Sequence, residues 1–335
     1  VPLATGYPDR SIDSPQEVHP VTTVYALHEN PEWFPPFARA FEAEGVEVVE
    51  WLLTDGVLDL DAVPPEGIFW SRISASAHTR DHGLSKDYAR SVLSWLEAHG
   101  RRTVNGRRVL ELEMSKVDQL TALKAAGIDT PRTVAAVGRD RILEAAQGFA
   151  TPFIVKHNQG GKGLGVRKFD SHEELAEYVG SSGFEEPQDG ITLVQEYIQA
   201  AEPFITRAEI VGGRFVYAIK ADTARGGFQL CPADACAIDP VTGRPIMPPG
   251  ATIAPEPGQQ LFSLREGFDH PVIGRFEDFA RRNGLEVCGI EFIETADGRV
   301  LTYDVNTNTN YNAAVEAVAP KSAPRELVRY LATLG

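Results

Sequence analysis

Two alternating runs late in the chain, Gly289-Ile290-Glu291-Phe292-Ile293-Glu294 and Val300-Leu301-Thr302-Tyr303-Asp304-Val305-Asn306, flank an Asp297-Gly298 dipeptide. Period-two alternation around Asp-Gly predicts an antiparallel hairpin with a type I′ turn. With Asp297 and Gly298 as the two loop residues, Glu291 falls directly opposite Asp304, and Asn306 shares the face of Asp304. The other face collects Ile290, Phe292, Leu301, Tyr303 and Val305, a set suited to a core. Like charges set opposite each other destabilise a sheet, so the Glu291–Asp304 pair needs a reason. A divalent cation taking carboxylate and amide oxygens supplies one. From the hairpin alone, a solvated acidic patch is the simpler reading.

The bulk properties narrow the field. A chain of 335 residues, 43% hydrophobic and 24% charged, can bury a substantial core and has the composition of an ordinary globular protein of two or three subdomains. A net charge of −15 argues against nonspecific binding of nucleic acid or anionic membrane. No apolar run reaches the length of a membrane span, and Val1 to Pro20 lacks the layout of a secretory signal and reads as a flexible leader. Three cysteines, Cys231, Cys236 and Cys288, exclude a disulfide scaffold and lack the second pair of a zinc site. A reducing cytoplasm is expected.

Strand and helix signals alternate through the first third: strands at Val21–Leu27, Val46–Leu53 and Gly67–Ser71, helices at Phe34–Glu44 and Ser85–His99. This pattern predicts a small parallel α/β unit over residues 21–108. A central α+β block over 109–195 opens with a capped helix at Ser115 and contains the strands Phe153–Lys156, Val166–Phe169 and Ile191–Gln195, with a helix capped at Ser171. A third block over 196–335 contains the strands Phe204–Val211 and Arg214–Lys220, a helix at Val272–Asn283, the hairpin and a terminal helix from Pro324. The fold class is α/β (α+β), with the last block a mixed sheet.

Gln159 to Gly165 joins two strands and carries Gly160, Gly161, Lys162, Gly163 and Gly165. Glycines let backbone N–H groups close on an anion, but the spacing is neither Walker A nor the dinucleotide fingerprint, and a plain hairpin loop reads as well. Lys156 ends an apolar strand, where it either snorkels to the surface or meets phosphates as a point charge. Gln195-Glu196-Tyr197-Ile198 leads from a strand into a connection and offers backbone groups to an adenine edge, with Glu202 beyond it within reach of ribose hydroxyls; it is also an ordinary strand exit. His78 and His82 have metal-ligand spacing only on a helix, and their segment reads as loop.

Taken in order, these pieces resemble the ATP-grasp superfamily, most closely its RimK-like glutamate-ligase branch, from about Gly67 to about Tyr311. Ser71 to Ser76 resembles the family's Arg-Ile-x-Ala-Ser segment; Ser115-Lys116 and Gly127 to Pro131 resemble its first-lysine helix and following turn. Pro152 to Lys156 with the glycine loop resembles the second-lysine strand, Gln195 to Ile198 the adenine hinge, and Gly289-Ile290-Glu291 with Asp304-Val305-Asn306 the metal-binding strands. The resemblance implies that Lys116 and Lys156 contact the phosphates of ATP, that Glu202 contacts its ribose, and that Arg207 lies at the transferred phosphate. It also implies that Glu291, Asp304 and Asn306 hold one or two magnesium ions, or manganese. Two departures stand out. Glu291 and Asp304 exchange the family's usual Asp and Glu, and the Ser-Pro-Gly type segment is replaced by Thr307-Asn308-Thr309-Asn310-Tyr311-Asn312. Asn308 and Asn310 thereby become substrate-binding candidates, and the choice of substrate is expected to differ.

The implied activity is ADP-forming ligation of an amino acid or small carboxylate to an amine through an acylphosphate. Arg72 and Arg225 are candidates for gripping substrate carboxylates. A phosphotransferase on the same fold and a non-catalytic nucleotide-binding protein are the competing readings. The expected partners are an amino-acid or carboxylate substrate and an amine acceptor, with no nucleic acid or membrane. The resemblance suggests a homodimer or tetramer.

Overall fold

The computed structural model describes residues 23–161, 163, 165–226 and 261–335, with the side chains of 225 and 226 left out. The expected leader, Lys162, and most of the loop from 221 to 258 lie outside the described residues. No helix among the described residues is long and apolar enough to cross a membrane.

The first unit is a parallel sheet of β1 (Val24–His28), β2 (Val48–Leu52), β3 (Ile68–Ser71) and β4 (Arg102–Val104), in the order β2-β1-β3-β4. Central strands of such a sheet are covered on both faces and read as apolar runs. Val24 and Ala26 pack toward α1 (Pro35–Glu44), while Leu27 and Phe69 pack toward α2 (Ser85–Ala98). The helix α1 stops at Gly45, whose φ of 67° is the left-handed conformation that closes a helix without a Cβ penalty. The strand β4 and the helix α3 (Arg107–Met114) were not expected from the sequence.

The helix α3 and its successor α4 (Lys116–Ala125) share a core with the third sheet, through Val109, Leu112, Leu120 and Leu123 against Phe276, Ile290 and Val305. They pack with the last block, although the sequence reading groups 109 onward with the central one. The central block is an antiparallel sheet ordered β5-β8-β6-β7, from β5 (Thr133–Val137), β6 (Phe153–His157), β7 (Arg167–Phe169) and β8 (Ile191–Glu196). The short helix α5 (Ile142–Ala146) and α6 (His172–Gly180), capped by Ser171 as expected, cover the face that carries Phe153, Val155 and Val194. The opposite face, with Ile154, Lys156 and Gln195, lines a cleft.

The third sheet runs β11-β10-β9-β12-β13, from β9 (Phe204–Val211), β10 (Arg214–Asp222), β11 (Phe262–Leu264), β12 (Val287–Glu294) and β13 (Val300–Asn306). The four-residue α7 (Thr223–Gly226) follows β10, and α8 (Val272–Asn283) packs beneath β12. Every described pairing in this sheet is antiparallel, where a mixed sheet was expected. The chain closes with α9 (Ala313–Glu316) and α10 (Ala323–Ala332), the latter packed against α1.

Two buried amides join the units. Asn105, held at a φ of 53°, donates to the Val287 and Thr307 carbonyls at 2.7 and 3.2 Å and accepts from the Glu286 and Val287 amides at 3.1 and 3.2 Å. Such fully satisfied buried amides fix one arrangement, because breaking it would leave unpaired polar groups. Gln119 donates to the Leu112 and Val305 carbonyls and accepts from Val305 N–H at 3.0 Å, which locks α4 to the backbone of β13.

Candidate active site

The site is built on one row of the third sheet. Register places Arg207 on β9 opposite Glu291 on β12, and Glu291 opposite Asp304 on β13. Lys116 extends the row from α4, its Nζ 2.7 Å from Asp304 Oδ1. A lysine in the first turn of a helix opposes the helix dipole, so its place here is set by Asp304 and by Gln119 one turn on, not by helix propensity. The row therefore reads positive, negative, negative, positive. Two unit negative charges about 4 Å apart repel by about 4 kcal/mol at an effective dielectric near 20, which the flanking cations offset.

The next row explains a glycine. Glu209, Gly289 and Asn306 lie side by side on β9, β12 and β13. The Arg207 guanidinium crosses over Gly289, with Nε 2.8 Å from Glu209 Oε1 and one terminal nitrogen 3.6 Å from Glu291 Oε1. A Cβ at Gly289 would fall inside the guanidinium. Thr309 accepts from Arg207 and donates to Glu209 at 2.9 Å. Glu209 was missed in the sequence reading, although the signal was present: Arg207 and Glu209 stand two apart on an apolar strand and so share a face.

Glu291 accepts from Asn306 Nδ2 at 3.0 Å and from the Tyr303 hydroxyl at 2.9 Å. Tyr303 is therefore on the site face, contrary to expectation. A bulge makes it the extra residue between the pairs Phe292–Thr302 and Glu291–Asp304, and it turns toward the cleft with Lys156 Nζ 5.8 Å from its ring centre. Burial, and then the adjacent Asp304, push the Glu291 carboxyl above its usual range. Burial acts the same way on Asp304, but Lys116 and Lys156 outweigh it and hold that carboxyl low. Burial and Lys116 bring Lys156 down to about 8.

Lys116 and Lys156 are held together by Asn158, the residue that follows β6. Its carbonyl accepts from Lys116 N–H at 3.3 Å, its Oδ1 from Val117 N–H at 2.8 Å, and its Nδ2 donates to Asp189 at 2.6 Å. The two lysines, Glu291, Asp304 and Asn306 line one end of a cleft of about 460 Å³ between the central and third sheets, a volume suited to a nucleotide-sized ligand. Gly160, Gly161 and Gly163 line the same cleft. Gly165 does not; at a φ of 70° it turns the loop back against the His157 ring, where a Cβ would lie 2.8 Å from ring atoms. Glu196, Tyr197 and Ile198 line the far end, with the exposed Glu202 at the mouth and Gln195 tied to Thr133 at 2.8 Å. Lys168, absent from the sequence candidates, lies 5.3 Å from the Tyr197 ring centre at this end.

Beyond the charged row the cleft meets a smaller pocket, about 50 Å³, sharing Lys116, Gly160, Gly161, Asp304 and Asn306 with it. Arg207, Asn308 and Asn310 line this pocket, as do Ser74, Ser76 and Glu113. Asn308 Oδ1 is buried there without a hydrogen-bond partner. Arg72 lies behind the pocket instead of in it. It is buried between Phe37 and Trp70, 4.3 and 5.2 Å from their ring centres, and donates to Asn310 Oδ1 at 2.9 Å. Its expected grip on a substrate carboxylate is replaced by a grip on Asn310. The Arg225 side chain lies outside the described residues. His82 bonds the buried Glu29 at 3.1 Å and His78 faces the Ala75 carbonyl, an arrangement with no metal geometry.

The Glu291, Asp304 and Asn306 set suits a hard cation. Its donors are oxygens of two carboxylates and an amide, on one sheet face that lines the cleft. No cluster of three His, Cys, Asp or Glu occurs among the described residues. Magnesium takes one or two carboxylates and completes its shell with water and phosphate oxygens, a coordination these donors allow.

Residues 114–231 match the RimK-like ATP-grasp domain family. A probable alpha-L-glutamate ligase of Pseudoalteromonas atlantica is 29% identical over 245 residues, covering 73% of this chain and 71% of that one. A RimK-domain ATP-grasp protein from Sphaerobacter thermophilus superposes with a TM-score of 0.61 at 16% identity, covering 94% and 100% of the two chains. The ATP-grasp ligase PsnB, complexed with minimal precursor, Mg and ADP, gives 0.62 at 14% identity over 92% and 96%. The structural likenesses establish the fold.

Proposed function

This chain is a RimK-like ATP-grasp protein, and from that premise we propose that it is an ADP-forming ligase joining a carboxylate to an amine. The observation that carries the reading is the charged row Arg207–Glu291–Asp304–Lys116, set where a nucleotide-sized cleft meets a small polar pocket. ATP lies in the cleft with its adenine edge at Glu196 to Ile198, its ribose at Glu202, and its phosphates toward Lys116, Lys156 and the glycine loop. Magnesium held by Glu291, Asp304 and Asn306 supplies charge neutralisation at the phosphates. Where the cleft meets the pocket, a substrate carboxylate oxygen attacks the γ-phosphorus as the bond to ADP breaks. The amine then attacks the acyl carbon; a C–N bond forms, the C–O bond to phosphate breaks with its electron pair leaving on phosphate, and the amine proton passes to solvent. Phosphoryl transfer needs positioning and charge more than covalent help, which fits a site with buried cations and no evident nucleophile. Gly161 rests 3.5 Å, as a built Cβ, from Ser76 Cβ, and Lys86 bonds Gln159 at 2.9 Å, so the glycine loop closes the pocket against the first unit and keeps water from the acyl group.

The test is ADP and phosphate release with ATP and magnesium across carboxylates and amines offered singly and in pairs, with products weighed. Release that needs both, with a product one water lighter than their sum, is expected. A phosphorylated acceptor made without an amine would replace the reading with a phosphotransferase. A second expectation concerns pH. Because Lys156 is charged only below about 8, affinity for a nonhydrolysable ATP analogue should fall as pH rises through that value, with about a tenfold loss per unit as the limiting slope. The ligand-free protein should respond with the opposite sign. A lysine whose pKa falls from 10.5 to about 8 on folding favours the unfolded state when protonated, so stability rises between those values. In Lys156→Met both trends should flatten, and unchanged trends by calorimetry would remove Lys156 from the phosphate site.

A further inference from the structure

The small pocket is bounded, on the side away from the nucleotide cleft, by a partition one side chain thick. Trp33 and Asn310 line the pocket and also line a separate groove of about 490 Å³, floored by Phe37, Ala40 and Tyr311 between α1 and α10. Both side chains are buried. Each is braced from behind by an arginine. Arg72 is stacked between Phe37 and Trp70 and holds Asn310. Arg80 lies 4.6 Å from the Trp33 ring centre and is itself fixed by Glu29, through bonds of 3.2 and 2.6 Å to a fully buried carboxylate. Arg80 also donates to Ser76, in the pocket wall, at 3.2 Å. Swinging Asn310 aside would strand the desolvated Arg72 guanidinium, and swinging Trp33 aside would give up its cation–π contact with Arg80, so the partition is held in place.

A space of about 50 Å³ admits only a few heavy atoms, since one water needs about 10–15 Å³ of such space. Resting on the ligase reading, we propose that Trp33 and Asn310 set the size limit on the acceptor, which is a primary amine carried on a short unbranched carbon. The groove beyond them, apolar along its floor but lined also by Glu32, Arg39, Glu316 and Arg325, is space that the partition denies to bulkier amines. Arg72 and Arg80 are positioning residues for that wall and touch no substrate.

The experiment compares Trp33→Ala and Asn310→Ala with the unaltered protein, using methylamine, glycine and phenethylamine. Asn310→Ala opens the wall from the other side without deleting an aromatic ring, and melting curves establish that each variant is folded. Dissociation constants come from ligand-observed NMR with magnesium and a nonhydrolysable ATP analogue, and kcat/KM from ADP release with the carboxylate found by the panel. Phenethylamine should gain about tenfold or more over methylamine in the opened variants, the scale by which a hydrophobic pocket ranks added methylenes. An unchanged ratio in folded variants would overturn the partition. A shifted binding ratio with no amine-dependent turnover in any form would instead sink the ligase reading and leave the partition standing.

Discussion

Asp304→Asn is expected to lower turnover by about a thousandfold or more while leaving the protein folded. The substitution keeps the shape of the side chain and removes the charge that Lys116 contacts at 2.7 Å and that shares the donor face with Glu291 and Asn306. Alanine would be a poorer test, because deleting one partner of a buried pair costs about 3–5 kcal/mol and could confuse unfolding with loss of chemistry. With asparagine, Lys116 keeps an oxygen within reach. The measurement is ADP release at saturating substrates, beside a urea melt. Rates within tenfold of the unaltered protein would remove Asp304 from the reacting centre. A melt that collapses would mean that the charge pair serves the fold first.

Gly289→Ala should be almost as damaging, though Gly289 touches no substrate in the proposed reaction. A methyl group there meets the Arg207 guanidinium, which Glu209, Glu291 and Thr309 hold in place, so it can yield only toward the small pocket. Overpacking of this kind typically costs about 1–3 kcal/mol. Displacing a group proposed to face the transferred phosphate by about 1 Å is enough for about a hundredfold loss of rate. A shift in urea midpoint together with a fall in kcat is expected. Gly298→Ala is the control. Gly298 also has a demanding backbone, with a φ of 82°, but nothing lies near its absent Cβ, so stability should fall and turnover at saturating substrate should hold. If Gly289→Ala behaves like Gly298→Ala, Arg207 is not held where the reaction needs it.

The hairpin shows how far one sequence carries. Alternation around Asp297-Gly298 places Glu291 opposite Asp304, and the structure has that pair. The route to it differs. Glu294 pairs with Val300 and Thr295 N–H bonds the Arg299 carbonyl, so the turn holds three residues, Ala296 to Gly298, instead of two. That offset of one residue is cancelled by the bulge at Tyr303. A bulge has no local signature here, because Thr302-Tyr303-Asp304 alternates acceptably in either register. Its consequence is large all the same: Tyr303 leaves the expected core face and bonds Glu291, and Leu301 moves opposite Ile293, which lines the cleft.

The helices were legible where caps and period agree. Val272–Asn283 and the starts at Ser115 and Ser171 follow from side-chain caps, a C-terminal glycine and 3.6-residue spacing, all of them local. The helix Arg107–Met114 was not seen, because its charged residues mask a buried face that only the third sheet reveals.

By itself the sequence determined the parallel first sheet, the glycine loop between two strands, the Lys116 helix and the acid pair, since each depends on neighbours close along the chain. What Arg72 does could only be decided by the tertiary structure. A guanidinium that suits a carboxylate equally suits two aromatic faces and an amide oxygen, and Phe37 and Asn310 reach it from distant parts of the chain. The same holds for Glu209, for Gly289 beneath Arg207, and for the wall of Trp33 and Asn310. Each exists because non-local packing brings buried charges and rings to one place, where desolvation makes every unpaired group costly and so fixes the arrangement.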